Sequence, residues 1–308
     1  MLVALTGGTG GAKLIEGLGD EIDSAELTVI CNTADDFVLH GLNISPDLDT
    51  ITYTLAGMSH SAQGWGIRDD TFTVLAQLEK LGGETWFKLG DKDIATHVMR
   101  TSLLNDGSRL SDVTDRIRKR LGIKARILPM SDDRIETRVE ITEGEISFQE
   151  YFVKRRWQPE VKRVFYAGVE SSRPAPGVVE AIRDAAGIIL CPSNPITSIG
   201  PILAVPGIRD ALSQATATVI GISPIIGDSA ISGPAHKLMI AQGWEPSVVG
   251  VARIYAELLD RFVIDGADVQ LRHAIEALGI RIMETSILMQ SLADKRRLAR
   301  EVVALVEK

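Results

Sequence analysis

The stretch Leu2-Val3-Ala4-Leu5-Thr6-Gly7-Gly8-Thr9-Gly10-Gly11-Ala12-Lys13-Leu14-Ile15 (residues 2–15) decides the fold. Residues 2–5 form a continuous apolar run of strand type, and Leu14, Ile15 and Leu18 fall at helical spacing. Between them stand four glycines in five positions. A strand that is apolar at every position is buried on both faces, as in a parallel sheet. Residues 27–31, Leu-Thr-Val-Ile-Cys, repeat that pattern with β-branched side chains. Strand, glycine turn, helix and strand make a βαβ unit.

Outward from this unit the scheme continues with one interruption. Residues 47–58, 70–81, 94–103 and 110–121 carry apolar side chains at helical spacing, and Asp91 and Ser111 stand where helices would be capped. Residues 125–129, 134–142 and 145–148 predict the strands of a small sheet, with Glu143-Gly144 as a turn. Together with the basic Lys154-Arg155-Arg156, the stretch from about 125 to 160 reads as a small inserted α+β subdomain. Strands at 164–167, 187–190 and 218–222 then alternate with helices at 178–185 and 206–214. Helices at 234–242 and 248–261, strands at 261–265 and 280–284, and an amphipathic helix over 286–307 complete the chain. The whole predicts a single Rossmann-like α/β domain over residues 1–308, with a doubly wound, mostly parallel sheet carrying that insertion.

Composition narrows the functional classes. The chain has 308 residues, 45% hydrophobic and 24% charged, so it can bury a large core, and general disorder is excluded. Lys plus Arg is 33 against 41 Asp plus Glu, a formal charge of −8. That balance argues against a nucleic-acid-coating protein but leaves room for a nucleotide ligand, which backbone amides can hold. The basic runs at 116–120 and 295–297 read as solvated helix faces. Cys31 and Cys191 close strand-like runs and read as buried free thiols. No apolar run approaches the ~18 residues of a membrane helix, and the opening MLVALTGG lacks the basic start of a signal peptide. The expected place is the cytoplasm. The five histidines form no i, i+4 zinc pair, no Cys-x-x-Cys exists, and no Gly-x-Ser-x-Gly elbow marks a serine hydrolase.

Four segments carry chemistry. Gly7, Gly8, Thr9, Gly10, Gly11 and Lys13 form a loop at a helix start, where a phosphate can meet backbone N–H groups; a tight ligand-free turn is the alternative. The loop is not a Walker A motif, since Leu14 follows Lys13, and Lys13 replaces the third glycine of a dinucleotide fingerprint. Asp35 and Asp36, after the second strand, suit a ribose, a divalent cation or a cap. In Ser45-Pro46-Asp47-Leu48-Asp49-Thr50 one carboxylate can cap the following helix, leaving the other for a metal or a hydroxyl. In Cys191-Pro192-Ser193-Asn194-Pro195, two prolines stiffen a polar turn that can read a base or a phosphate, and Ser232-Gly233-Pro234 has a similar character.

Taken in order, these segments resemble the 2-phospho-L-lactate transferases of deazaflavin coenzyme F-420 biosynthesis. The resemblance rests on GGTGGAKL at 7–14, NTADD at 32–36, SPDLDT at 45–50, KLGDKD at 88–93, ILPMSDD at 127–133, PSNPITSIGPI at 192–202 and SPIIGDSAISGPAHKLM at 223–239. Each motif is weak alone; their order makes the set specific.

The resemblance implies a guanosine-diphosphate-activated phospho-acid as donor and the deazaflavin alcohol Fo (7,8-didemethyl-8-hydroxy-5-deazariboflavin) as acceptor. The ribityl hydroxyl attacks phosphorus, a phosphodiester forms and GMP leaves. It also implies Mg²⁺ as cofactor and a homodimer, with no nucleic acid and no membrane as partner. Asp49 and Lys88 match the family's Fo-binding positions, which makes Asp49 the expected catalytic carboxylate. Gly7 to Lys13 are then expected to cradle the diphosphate, Ser193 and Asn194 to hold the guanosine end, and Asp35, Asp36 and Asp49 to hold the cation. The rival reading is a non-catalytic nucleotide-sugar-binding regulator of related fold; the SPDLDT and KLGDKD pair speaks for the transferase.

Overall fold

The computed structural model describes residues 1–60, 64–227, 229–231 and 233–306. Ser232, singled out above, lies outside the described residues. In chain order the strands are β1 (Leu2–Thr6), β2 (Leu27–Cys31), β3 (Phe37–Leu39), β4 (Leu42–Ile44), β5 (Arg126–Pro129), β6 (Glu136–Ile141), β7 (Gly144–Ser147), β8 (Val161–Ala167), β9 (Gly187–Leu190), β10 (Thr218–Ile222), β11 (Ile225–Ile226), β12 (Ser229–Ala230), β13 (Arg261–Ile264) and β14 (Arg281–Glu284). The helices are α1 (Gly8–Glu21), α2 (Pro46–Leu55), α3 (Thr73–Lys80), α4 (Asp91–Asn105), α5 (Leu110–Arg120), α6 (Val178–Arg183), α7 (Ile199–Ala204), α8 (Ile208–Ser213), α9 (Ala235–Ala241), α10 (Val248–Tyr255), α11 (Arg272–Glu276) and α12 (Leu292–Val306).

Seven strands form one all-parallel sheet in the order β14-β13-β10-β9-β1-β2-β5. The chain leaves β1 through β2 to β5, returns to β9 on the other side of β1, and continues outward to β14. Its direction therefore reverses between β1 and β9. In open α/β sheets that switch point, at the carboxyl ends of the strands, is where a crevice opens for ligands. β1, β2 and β9 are buried at every position, as their apolar runs require. One face of the sheet is covered by Leu14, Ile15 and Leu18 of α1 with Leu298 and Val302 of α12. The other is covered by Val178 and Ile182 of α6, Ile199 and Ile202 of α7, and Val248 and Val251 of α10.

α12 lies close on α1 because Gly17 has no side chain: a Cβ there would stand 2.2 Å from the Lys295 carbonyl oxygen. Around this contact Lys295 pairs with Glu16 (2.5 Å), Arg296 with Asp20 (2.7 Å) and Arg300 with Glu21 (2.9 Å). The basic run of α12 is thus partly a seam to α1 rather than a wholly solvated face.

Several local expectations shift. The strand at 126–129 belongs to the main sheet, paired in parallel with β2, whereas 161–167 joins the small antiparallel sheet β7-β6-β8. Ile127 and Leu128 are buried, as a strand inside a parallel sheet demands. β8 is largely half-exposed, which an antiparallel sheet with one wet face tolerates. The inserted small sheet therefore spans 136–167 rather than 125–148. The β3–β4 hairpin was not anticipated; its two-residue turn, His40-Gly41, has φ of 52° and 76°, the conformation of a type I′ turn. α7 carries Gly200 and Pro201 in its first turn, which hides its period while leaving Pro without an N–H to lose.

Asp91 and Ser111 do not cap their own helices, whose N-caps are Gly90 and Arg109. Asp91 instead accepts hydrogen bonds from Thr73 N and Val74 N at the start of α3, and Asp70 accepts from Lys92 N and Asp93 N at the start of α4. The two helices cap each other. Ser111 N and Oγ donate to Asp132. α10 stops at Tyr255, and α12 begins at Leu292, where Asp294 accepts from Ser291. Among the described residues no helix is long and apolar enough to cross a membrane.

Candidate active site

The crevice is built where β1 and β9 end. The N-terminus of α1 follows β1 directly, and residues 191–198 follow β9. Glycine lets the two meet. A Cβ at Gly10 would stand 2.5 Å from the Pro192 carbonyl oxygen, and one at Gly11 would stand 2.6 Å from Ser193 Oγ. A Cβ at Gly7 would stand 2.6 Å from Asp47 Oδ2. The glycine-rich sequence is therefore demanded first by close packing of three segments. Gly8 alone has room for a Cβ, but its φ of +66° still favours glycine.

Ser193 Oγ accepts from Gly7 N (3.5 Å) and lies 3.4 Å from Thr6 Oγ1. Asn194 Oδ1 accepts from Ile196 N and Thr197 N, so this side chain shapes its own loop. Thr9 and Lys13 are half-buried and have no hydrogen-bond or ion-pair partner among the described residues.

Asp47 is the residue that sequence reasoning left unassigned between a cap and a ligand. It is 7% exposed. Its Oδ1 accepts from Gly8 N at 2.7 Å, and its Oδ2 accepts from Asn32 Nδ2 at 2.9 Å. Burial pushes its carboxyl up to about 6, against the pull of Asn32 and Gly8. Its carboxylate thus sits on an amide of the presumed phosphate cradle. Asp35 is also buried and Asp36 half-buried, and loss of solvent around them drives both carboxyls well above the ordinary range. The neighbouring charge of Asp47 adds to the shift at each, while Thr137 opposes it at Asp35 and Ser45 opposes it at Asp36. Ser45 Oγ donates to Asp36 Oδ2 at 2.6 Å, and Asp36 Oδ1 has no hydrogen-bond partner among the described residues.

Those features fit a cation. Hard divalent ions take carboxylate oxygens, and Mg²⁺ needs only one or two of them because it keeps its waters. Asp35 Oδ1 and Asp36 Oδ1 are buried and without a hydrogen-bond partner among the described residues, so they are the free donor atoms here, although the only acid and histidine ligand atoms gathered in a group of three within 4.8 Å of one another, among those residues, are those of Asp49, Asp93 and His97. Asp49 is different. It lies two residues from Asp47, about 200° around the helix, and so faces another neighbour. Arg100 of α4 grips both its oxygens: Nη1 donates to Oδ2 at 3.0 Å and Nη2 pairs with Oδ1. Asp49, Asp93 and His97 do place ligand atoms within 4.8 Å of one another, but the Arg100 guanidinium already supplies the positive charge there.

α4 buries Asp93, His97, Arg100 and Thr101 and leaves Val98 and Met99 about half exposed. Sequence reasoning placed the helix correctly and missed these residues. The available signal was a polar row at i, i+4 and i+7. Lys88 lies exposed just before α4, with no hydrogen-bond or ion-pair partner among the described residues. Its neighbours Trp86 and Phe87 pack on Phe37, with ring centroids 5.8 and 4.9 Å away. The structure brings the glycine loop, Asp35, Asp36, Ser193 and Asn194 together around Asp47 and Asn32. Asp49 faces α4, on the side from which the Lys88 segment enters.

Comparison with known proteins identifies the family. The family model described as 2-phospho-L-lactate transferase CofD matches residues 2–296. The phosphoenolpyruvate transferase of Streptomyces griseus is 46% identical over 312 aligned residues, covering 99% of this chain and 98% of that one. The 2-phospho-L-lactate transferase of Methanosarcina mazei is 43% identical over 302, covering 98% and 99%. A crystal structure of a UPF0052-family protein from Bacillus halodurans shares the fold, with a TM-score of 0.66 and 18% identity over 98% of each chain. The chain belongs to the 2-phospho-L-lactate transferase CofD family and is an enzyme of the transferase class.

Proposed function

We propose that this enzyme transfers a phospho-acid from a guanosine-diphosphate-activated donor to the ribityl hydroxyl of Fo, in coenzyme F-420 biosynthesis. The observation that carries this reading is the switch-point crevice. It sets the start of α1 between the loop 191–198 and the carboxylates of buried Asp35 and Asp47 and half-buried Asp36. With Gly8 N held by Asp47, the amides of Thr9 and Gly10 and the Lys13 side chain receive the diphosphate, and residues 192–194 lie on the guanosine side. Asp35, Asp36 and Asp47 are the residues that would hold Mg²⁺, which when bound offsets the charge of the reacting phosphates. Asp49 and Lys88 serve the acceptor.

The chemistry is a displacement at phosphorus. The acceptor oxygen forms the new P–O bond, the P–O bond to GMP breaks, and the hydroxyl proton passes to a carboxylate of the site. Asp49, the carboxylate that serves the acceptor, takes that proton; both oxygens of Asp47 are already held by Gly8 N and Asn32 Nδ2. A homodimer suits the exposed Phe72, Val74, Val98 and Met99 around α3 and α4.

The test is incubation with Fo, Mg²⁺ and, in turn, guanylated phospholactate, phosphoenolpyruvate and phosphoglycerate, followed by mass detection of products. The expected result is GMP together with one phosphodiester of Fo. Donor and Fo recovered unchanged in every arm would overturn the reading. A regulator that only binds nucleotide would give binding without GMP.

A further inference from the structure

We propose that Arg100 and His97 are positioning residues for the transfer, holding the Asp49 carboxylate in one orientation toward the acceptor. The inference rests on the reading above that Asp49 serves the acceptor, and goes beyond it by assigning what fixes Asp49.

The row runs through five side chains. Tyr53 Oη donates to Asp93 Oδ1 at 2.6 Å. Asp93 Oδ1 lies 3.3 Å from His97 Nε2, and His97 Nδ1 lies 3.1 Å from Arg100 Nη1. Arg100 closes the row on both oxygens of Asp49 and also donates from Nη1 to the Asn43 carbonyl at 3.3 Å. None of the five is more than 9% exposed. A guanidinium has no acceptor, so Arg100 donates to His97 Nδ1, while His97 Nε2 lies on the Asp93 side without a hydrogen-bond partner among the described residues.

Helix seams do not need this chemistry. Taking a guanidinium and two carboxylates out of water costs several kcal/mol per ion, and an apolar pair joins two helices equally well or better. What a buried fork supplies is direction. A carboxylate has about four lone-pair sites, and a bidentate guanidinium takes two of them. The remaining two point away from Arg100, and their direction is set by a side chain that cannot itself swing. His97 Nδ1 and the Asn43 carbonyl both meet Nη1, sharing its two N–H groups with Asp49 Oδ2, so that end of the guanidinium is held as well. A hydroxyl presented to Asp49 then meets a lone pair whose position was set before it arrived, and misplacement by about 1 Å costs roughly 100-fold in rate.

The experiment uses the full chain and measures turnover with Fo, KM for Fo, GDP affinity and circular dichroism for each variant. R100K keeps the charge and loses the fork. H97N keeps an acceptor near the Nδ1 position, whereas H97Q moves it to the Nε2 position. The expected result is that R100K and H97Q lower kcat for transfer at least 10-fold with GDP affinity unchanged. H97N recovers most of the activity, and D49N combined with R100K is no slower than D49N alone. R100K and H97Q with wild-type kcat overturn the inference, as do losses in R100K and D49N that multiply. A D49N variant with unaltered kinetics overturns it while leaving the transferase reading standing. No transfer by the unaltered chain overturns both.

Discussion

Two helix seams in this molecule use the same side chains to different ends. Where α12 lies on α1, three cations meet Glu16, Asp20 and Glu21 around a contact that Gly17 and the apolar Leu14, Leu18, Leu298 and Val302 already close. Where Arg100 of α4 reaches Asp49 of α2, the charges are themselves the contact, and the apolar Val98 and Met99 are turned outward. At the first seam, ion pairs decorate packing. At the second they replace it, around the carboxylate that we propose to serve the acceptor.

The sharpest way to break the comparison is to delete one charge from each seam. Arg100→Leu leaves Asp49 buried without its partner and should cost about 3–5 kcal/mol of stability in urea unfolding. A loss under 1 kcal/mol would show the second seam to be no different from the first. The next effect concerns Asp47, the other carboxylate of the α2 first turn. Its folded-state carboxyl is raised from 3.8 to about 6 by burial. Between these values the folded form holds more protons than the unfolded chain, so stability falls as pH rises through that window and is level above it. Asp47 contributes about 3 kcal/mol to that fall, and Asp47→Asn should remove its share in unfolding measured from pH 4 to 7. Gly17→Val tests whether packing rather than charge closes the first seam; it should cost about 1–3 kcal/mol by forcing α12 off α1. Smallest of all, Arg300→Ala should leave stability nearly unchanged, with any loss shrinking further in high salt. A larger loss would mean that the exposed ion pairs carry the α1–α12 contact after all.

The same contrast explains what the sequence made legible. β1, β2, β9 and β10 could be read because a doubly buried strand is a continuous apolar run. Their order could not, because an apolar run does not name its neighbour: 126–129 and 161–167 exchange sheets relative to expectation. The glycine loop was read as a phosphate cradle, and the structure adds that Gly10 and Gly11 are also needed to admit Pro192 and Ser193. Asp47 and Asp49 were legible as a pair but not as two different neighbours. Helical geometry separates their faces, yet which face meets the glycine loop depends on how α2 is docked. The partners of Asp49 lie over 40 positions away on a helix that buries its polar face; apolar periodicity finds the helix but not that face.

One feature of the crevice bears on how the chain is made. Gly7 N and Ser193 Oγ are 3.5 Å apart in space and 186 positions apart in sequence. At ~5–20 residues per second, roughly 10–40 s separate the synthesis of the two walls. Through that interval β1 has β2 on one side and nothing on the side where β9 will pair, so the nascent chain carries an open strand edge at its most apolar point. The crevice is thus a late product of synthesis, and a chain that stops before residue 187 carries a complete glycine loop without its second wall.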